Sequence, residues 1–195
     1  MLKYALLGFL NYSPMTGYEL KQRIDRSTTH FWHAKLSQIY TTLKAMRAAD
    51  LVSSSIEEQQ ERPDRRVYSI TQAGRVDLQA WLSEPYTGLS PKKETLVLKL
   101  FFSAQVDPAA VLNQLRLQRD LHRKQLDYYH REAVQNIRHA EADFPMLAKD
   151  AELWEATRRF GELYEDVYVK WIEEMIEQIG RRAIMDGNTN ASSAQ

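Results

Sequence analysis

The chain has 195 residues, no cysteine, and 26 Lys+Arg against 26 Asp+Glu, so neither a disulfide framework nor a thiolate metal site is available. No run approaches the ~18 apolar residues of a membrane helix, and residues 1–10 break off at Asn11-Tyr12-Ser13-Pro14 without the form of a signal peptide; the expectation is a soluble, cytoplasmic protein without membrane contact. Basic side chains exceed acidic ones by two up to Pro85 and fall short by two after it, so any case for nucleic-acid binding rests on pattern and not on bulk charge.

Leu2, Ala5, Leu6, Phe9 and Leu10 recur at helical spacing and predict a first helix over residues 2–10. Thr16-Gly17-Tyr18-Glu19 carries the capping-box signature of a second helix start, with Leu20 and Ile24 one turn apart behind it. A third helix follows a polar break, its apolar stripe made by Leu36, Ile39, Leu43 and Met46. Residues 51–56 and 67–70 change to β-branched, aromatic and serine side chains, and the polar segment between them predicts a hairpin. Thr71 precedes a fourth helix ending near Leu82. Residues 83–91 read as a connector. Ser90-Pro91 and Asp107-Pro108 pair an N-cap with proline at the first helical position, opening a short helix (96–102) and a long one to about Ala142. Pro145 separates these from a last helix over roughly 150–182, and residues 186–195 have the composition of an unstructured tail. The expected fold is mainly α, with a winged helix-turn-helix bearing a two-stranded β wing at residues 1–85 and an all-α dimerisation domain at 86–185.

At about 100° per residue, Ser37, Thr41 and Lys44 fall opposite the apolar stripe of the third helix, with Gln38 and Tyr40 flanking it and Lys35 just before it. This outward set has hydroxyls, an amide and cations but no carboxylate, the groups that donate to phosphate or read base edges. The same pattern fits a plain solvent face; the capped helix before it and the hairpin after it favour DNA. Backbone N–H groups at Thr16, Gly17 and Tyr18 suit a phosphate. In the loop 57–66, Arg65 and Arg66, with Arg62, suit backbone or minor-groove contact, yet four acids outnumber them and an ordinary solvated turn stays open.

Leu2-Lys3-Tyr4-Ala5-Leu6-Leu7-Gly8, Thr16-Gly17-Tyr18-Glu19-Leu20, Phe31-Trp32, Ser37-Gln38-Ile39-Tyr40 and Val67-Tyr68-Ser69-Ile70-Thr71-Gln72-Ala73-Gly74 resemble the PadR family of bacterial regulators. Lys99-Leu100-Phe101-Phe102 and the long aromatic-rich last helix are similar to its longer branch, with a virulence-activator-like C-terminal domain. The resemblance implies a homodimeric repressor on pseudo-palindromic double-stranded DNA, with relief by phenolic acids in the namesake branch. It places Ser37, Gln38, Tyr40 and Thr41 in the major groove. Thr41 stands where the family commonly has proline, which leaves helix formation intact and bears on base preference.

Leu153, Phe160, Leu163, Tyr164, Val167, Tyr168, Trp171 and Met175 line the last helix in an a/d-like order wide enough to need the preceding long helix and a second subunit. Tyr4, Phe31, Trp32 and Trp154 are candidate walls of a pocket for a small aromatic or phenolic effector; core packing is the competing reading. His30 and His33 lack a ligand set for metal, and His122, His130 and His139 read as solvated. No nucleophile–base pairing, phosphate-cradling loop or dinucleotide fingerprint occurs, so neither an enzyme nor a cofactor is expected. A winged-helix protein-interaction module without DNA affinity remains the alternative.

Overall fold

The computed structural model, which describes residues 1–28, 31–58, 64–89, 93–143 and 145–192, divides into two units, Met1–Ser90 and Pro91–Gln195. The expected Ser90-Pro91 helix start, Arg62 and His30 lie outside the described residues.

In the first unit the apolar stripes converge. Helix α1 (Leu2–Tyr12) buries Leu6, Leu7 and Leu10; α2 (Gly17–Ser27) buries Leu20 and Ile24; α3 (Leu36–Ala48) buries Ile39, Leu43 and Met46. Strands β2 (Val52–Glu57) and β3 (Arg65–Ile70) add Val52, Tyr68 and Ile70, and α4 (Gln72–Ser83) closes the core with Leu78. The hairpin registers Val52 against Ile70 and Glu57 against Arg65. A third strand, β1 (Met15–Thr16), pairs antiparallel with β3, Met15 opposite Tyr68 and Thr16 opposite Val67, giving the order β1-β3-β2. A two-residue strand whose second residue is itself the cap of α2 is too short for any periodicity to announce it.

Helix α3 ends in a tight cap. The Leu51 N–H donates to the Met46 carbonyl at 2.9 Å and the Asp50 N–H to the Arg47 carbonyl at 3.1 Å, with Asp50 at φ 56°, a left-handed position usually given to glycine. The Thr71 hydroxyl donates to the Asp50 carbonyl at 2.6 Å and accepts the Gly74 N–H at 3.0 Å as the N-cap of α4. A Cβ at Gly74 would stand 2.1 Å from the Leu51 carbonyl oxygen, so only glycine lets α4 pass this turn.

The second unit is helical. Helix α5 (Thr95–Phe101) and α6 (Pro108–Tyr128) precede a π turn, Tyr129–Ala133, which leads into α7 (Val134–Asp143). The pattern predicts one unbroken helix over this stretch; the structure places the π turn inside it. Helix α8 (Ala148–Ser192) reaches past the expected end near Arg182 into the segment expected as a tail. Leu96, Val111, Leu115 and Ile172 form the core between α5, α6 and α8, with Tyr168, Trp171 and Met175 packed on it.

Arg158, only 9% exposed, secures the π turn. Its guanidinium donates to the Tyr129 carbonyl at 3.1 Å and to the carboxylates of Glu155 and Glu162 at 2.7 and 2.6 Å. Gly161 lies under the Tyr129 ring, where a Cβ would come within 2.4 Å of the phenol oxygen. His122 departs from its solvated reading: it is largely covered, paired with Glu165 and stacked on Tyr168 at 3.9 Å between centroids. Sequence period alone does not show that its face of α6 meets α8.

Candidate nucleic-acid interface

The burial of Ile39, Leu43 and Met46 fixes the rotation of α3 and leaves Ser37, Gln38, Tyr40, Thr41 and Lys44 exposed, with Lys35 exposed before them. Two of these polar groups are already ordered. The Lys35 N–H donates to Gln38 Oε1 at 2.9 Å, which caps the amino end of α3 with a side-chain amide, and the Thr41 hydroxyl donates to the Ser37 carbonyl at 2.9 Å. The exposed Thr41 hydroxyl therefore has its donor committed and offers acceptor capacity. Ser37, Gln38 and Thr41 line one shallow groove of about 340 Å³ together with Leu2 and Thr42.

The amino end of α2 meets α3 directly. Thr16 caps α2 by accepting the Glu19 N–H at 3.2 Å, while the Glu19 carboxylate accepts the Thr16 N–H at 2.7 Å. That N–H bond, reinforced by Arg65 and Arg23 and opposed by burial, holds the Glu19 carboxyl below its ordinary range. Gly17 is buried, and a Cβ there would lie 2.6 Å from the Tyr40 ring. Tyr40 thus seats on the backbone of α2, and Tyr18, the next residue of that helix, is exposed.

The wing departs from a simple cationic loop. Arg65 Nε donates to Glu57 Oε2 at 2.7 Å, and its Nη1 lies 3.5 Å from Glu19 Oε1. Arg66 is exposed on the other face of β3, opposite Ile56 in register. The acid partners of Arg65 escape a sequence reading because strand register and the packing of α2 bring them together.

The remaining expected residues belong to both units. Tyr4 stacks on Trp81 at 4.4 Å with an interplanar angle of 6°, and the Lys3 ammonium sits over its ring at 4.3 Å. Phe31 is exposed, while Trp32 is partly buried with its indole Nε1 enclosed. Trp154 belongs to the second unit. On α8, Tyr164 donates to Glu94 at 2.8 Å, Tyr168 lies 3.5 Å from the same carboxylate, and Trp171 and Met175 cover the α5–α6 core. These four pack within the chain. Leu153, Phe160, Leu163 and Val167 face outward, Phe160 being 62% exposed. No helix among the described residues is long and apolar enough to cross a membrane.

Comparison with known proteins agrees with this architecture. Residues 6–80 match the model of the transcriptional regulator PadR-like family, and residues 92–180 that of the virulence activator alpha C-terminal region. The chain is 30% identical over 188 residues to a probable transcriptional regulator of Mycobacterium tuberculosis, Rv1176c, covering 91% of this chain and 97% of the relative. It is 29% identical over 102 residues to the negative transcriptional regulator PadR of Bacillus subtilis, covering 52% of this chain and 56% of that one. Solved structures of the Bacillus subtilis protein share the fold. Its complex with operator DNA superposes with a TM-score of 0.77 at 22% identity, over 91% of this chain and 98% of that one. Its complex with p-coumaric acid gives 0.68 at 22%, over 92% and 98%.

Proposed function

Because the chain belongs to the PadR-like family of transcriptional regulators, we propose that it acts in the cytoplasm as a homodimeric repressor reading a pseudo-palindromic operator. The carboxylate-free outer face of α3 carries this reading: Ser37, Gln38, Tyr40, Thr41 and Lys44 project together from a helix whose opposite face is buried. In the major groove, Gln38 and Thr41 meet base edges while Lys44, Arg66 and the amino end of α2 at Thr16–Tyr18 meet phosphates. Residues 1–85 serve as the DNA-binding domain and 86–185 as the dimerisation domain.

The outward stripe of Leu153, Phe160, Leu163 and Val167 supports the dimer. Phe160 and Val167 follow Leu153 at seven-residue steps, the repeat of a helix that packs along a partner helix. A two-fold pair would set two α3 helices on half-sites one turn of DNA apart. The p-coumaric acid complex of the similar Bacillus subtilis protein supports a small phenolic effector for this chain also. Such an effector would act by binding more tightly to the arrangement that mismatches the half-site spacing. The neutral overall charge and the carboxylates around Arg65 favour a second reading, a winged-helix interaction module without DNA affinity.

Titration of the purified chain against its own upstream intergenic DNA at two salt concentrations tests the proposal. Binding should weaken steeply with salt and should be lost in Lys44→Ala and Thr41→Ala. Binding indifferent to salt and to both substitutions would point to the interaction module. A binding curve unmoved by phenolic acids would remove the effector and leave DNA recognition standing.

A further inference from the structure

We propose that Arg65 is a positioning residue, clamping the wing to the amino end of α2, and that it does not itself hold DNA. The inference rests on the DNA-reading proposal above. An arginine on the wing strand of a winged helix would ordinarily be assigned to a phosphate. Here its guanidinium is bound on two sides by carboxylates from two other elements. Glu57 lies directly across the hairpin from it in register and accepts its Nε at 2.7 Å. Glu19 approaches its Nη1 at 3.5 Å from the first turn of α2.

The division of labour within Glu19 is the telling detail. One oxygen, Oε2, accepts the Thr16 N–H and completes the helix cap; the other, Oε1, faces Arg65. A single carboxylate therefore joins the helix start to the wing. Thr16 also pairs with Val67 through β1, two residues along β3 from Arg65, and Gly17 supports the Tyr40 ring. Wing, helix start and reading helix are coupled through one continuous set of contacts. A phosphate drawn to Arg65 would have to compete with the Glu57 and Glu19 carboxylates already paired with it, each of which repels the incoming anion. Arg66, on the opposite face of β3, carries no such conflict in its register pair with Ile56.

A phosphate ligand and a clamp differ in their salt signature. Removing a phosphate contact lowers the slope of log affinity against log salt by roughly 0.9 per protomer, whereas misplacing a wing leaves the number of released ions unchanged. The experiment uses the full-length chain and a duplex recovered with it from a random pool, comparing wild type with Arg65→Ala, Arg65→Lys and Glu57→Gln, each checked by thermal melting. Arg65→Ala should bind roughly three- to tenfold more weakly with an unaltered slope, the range expected for loss of two half-exposed ion pairs. Arg65→Lys should behave like alanine, because an ammonium cannot bridge both acids in the planar fork. Glu57→Gln should also weaken binding, although it removes a negative charge near DNA.

A slope reduced by Arg65→Ala and retained in Arg65→Lys would make Arg65 a phosphate ligand and overturn the clamp. So would tighter binding by Glu57→Gln, or wild-type affinity in Arg65→Ala. Failure of the wild-type chain to select any duplex would instead overturn the DNA-reading proposal beneath it.

Discussion

Gly17→Ala separates the stability of the winged helix from its reading surface. The added Cβ would meet Tyr40 Cε1 at 2.6 Å and Cζ at 2.9 Å, where ordinary contact begins near 3.4 Å. Tyr40 is 46% exposed, so its ring can swing toward solvent. The swing costs about 1 kcal/mol, the low end for overpacking. Alanine in place of glycine returns only part of the about 1 kcal/mol seen in a helix interior, because Gly17 is the first residue of α2. The two effects partly offset each other, and the melting temperature should move by no more than roughly 4 °C. DNA affinity should respond differently, because the displaced ring leaves the face shared with Ser37 and Thr41. A misplaced groove-reading side chain costs about 1–3 kcal/mol per half-site, so a two-fold complex should weaken by roughly 30-fold or more. Thermal melting and fluorescence anisotropy on the selected duplex read the two quantities separately. Wild-type DNA affinity in Gly17→Ala would refute the seating of Tyr40 on α2, as would a large loss of stability that Tyr40→Ala fails to relieve in the double variant.

Gly74→Ala offers the contrasting case, since its obstacle is the Leu51 carbonyl oxygen and backbone cannot swing aside; it should cost about 3 kcal/mol or more, read from the urea midpoint. Arg158→Ala leaves the Tyr129 carbonyl and two carboxylates without their shared donor and should destabilise the second unit by about 3 kcal/mol, visible as an early helical melt. Arg158 hydrogen bonding lowers the Glu155 carboxyl, and for Glu162 burial opposes but the neighbouring arginines prevail, so both titrate below the ordinary range. Their contribution is complete above the unfolded carboxylate value, near 4.5, and disappears as pH falls through the lower folded values. Melting temperature should therefore drop on acidification through that window, and less so in Arg158→Ala. Phe160→Glu should raise the dimer dissociation constant by roughly 100-fold or more, because two-fold symmetry applies the loss twice; sedimentation velocity should show a folded monomer.

The parts of this architecture written in local spacing are legible without coordinates. Thr16 and Glu19 are three residues apart, and their capping box forms as their chemistry dictates. Leu36, Ile39, Leu43 and Met46 mark one face of α3, which fixes where Ser37, Thr41 and Lys44 must point. Distance in sequence hides the rest. Glu19 and Arg65 stand 46 residues apart, and only the register of β3 makes them neighbours. On α8 the apolar positions merge into one broad stripe. Only packing against α5 and α6 separates the inward Tyr168, Trp171 and Met175 from the outward Leu153, Phe160 and Val167. The π turn at Tyr129–Ala133 lets the apolar residues on both sides of it point toward α8, and the one-residue slip it puts into the sequence pattern is too small to read from period alone.

That last property gives the chain an uneven tolerance to losing a residue. Deleting one position from a regular helix rotates everything beyond it by about 100°. Within α6 such a deletion would turn the inner face of α7 away from α8. A π turn holds one residue more than the α-helical turn it replaces, so a deletion inside Tyr129–Ala133 would let the stretch close as ordinary helix with α6 and α7 still in phase. Arg158 would lose its carbonyl partner, a smaller injury than a misrotated arm. Single-residue deletions walked from Pro108 to Asp143 and followed by melting should show a narrow window of survival centred on the π turn.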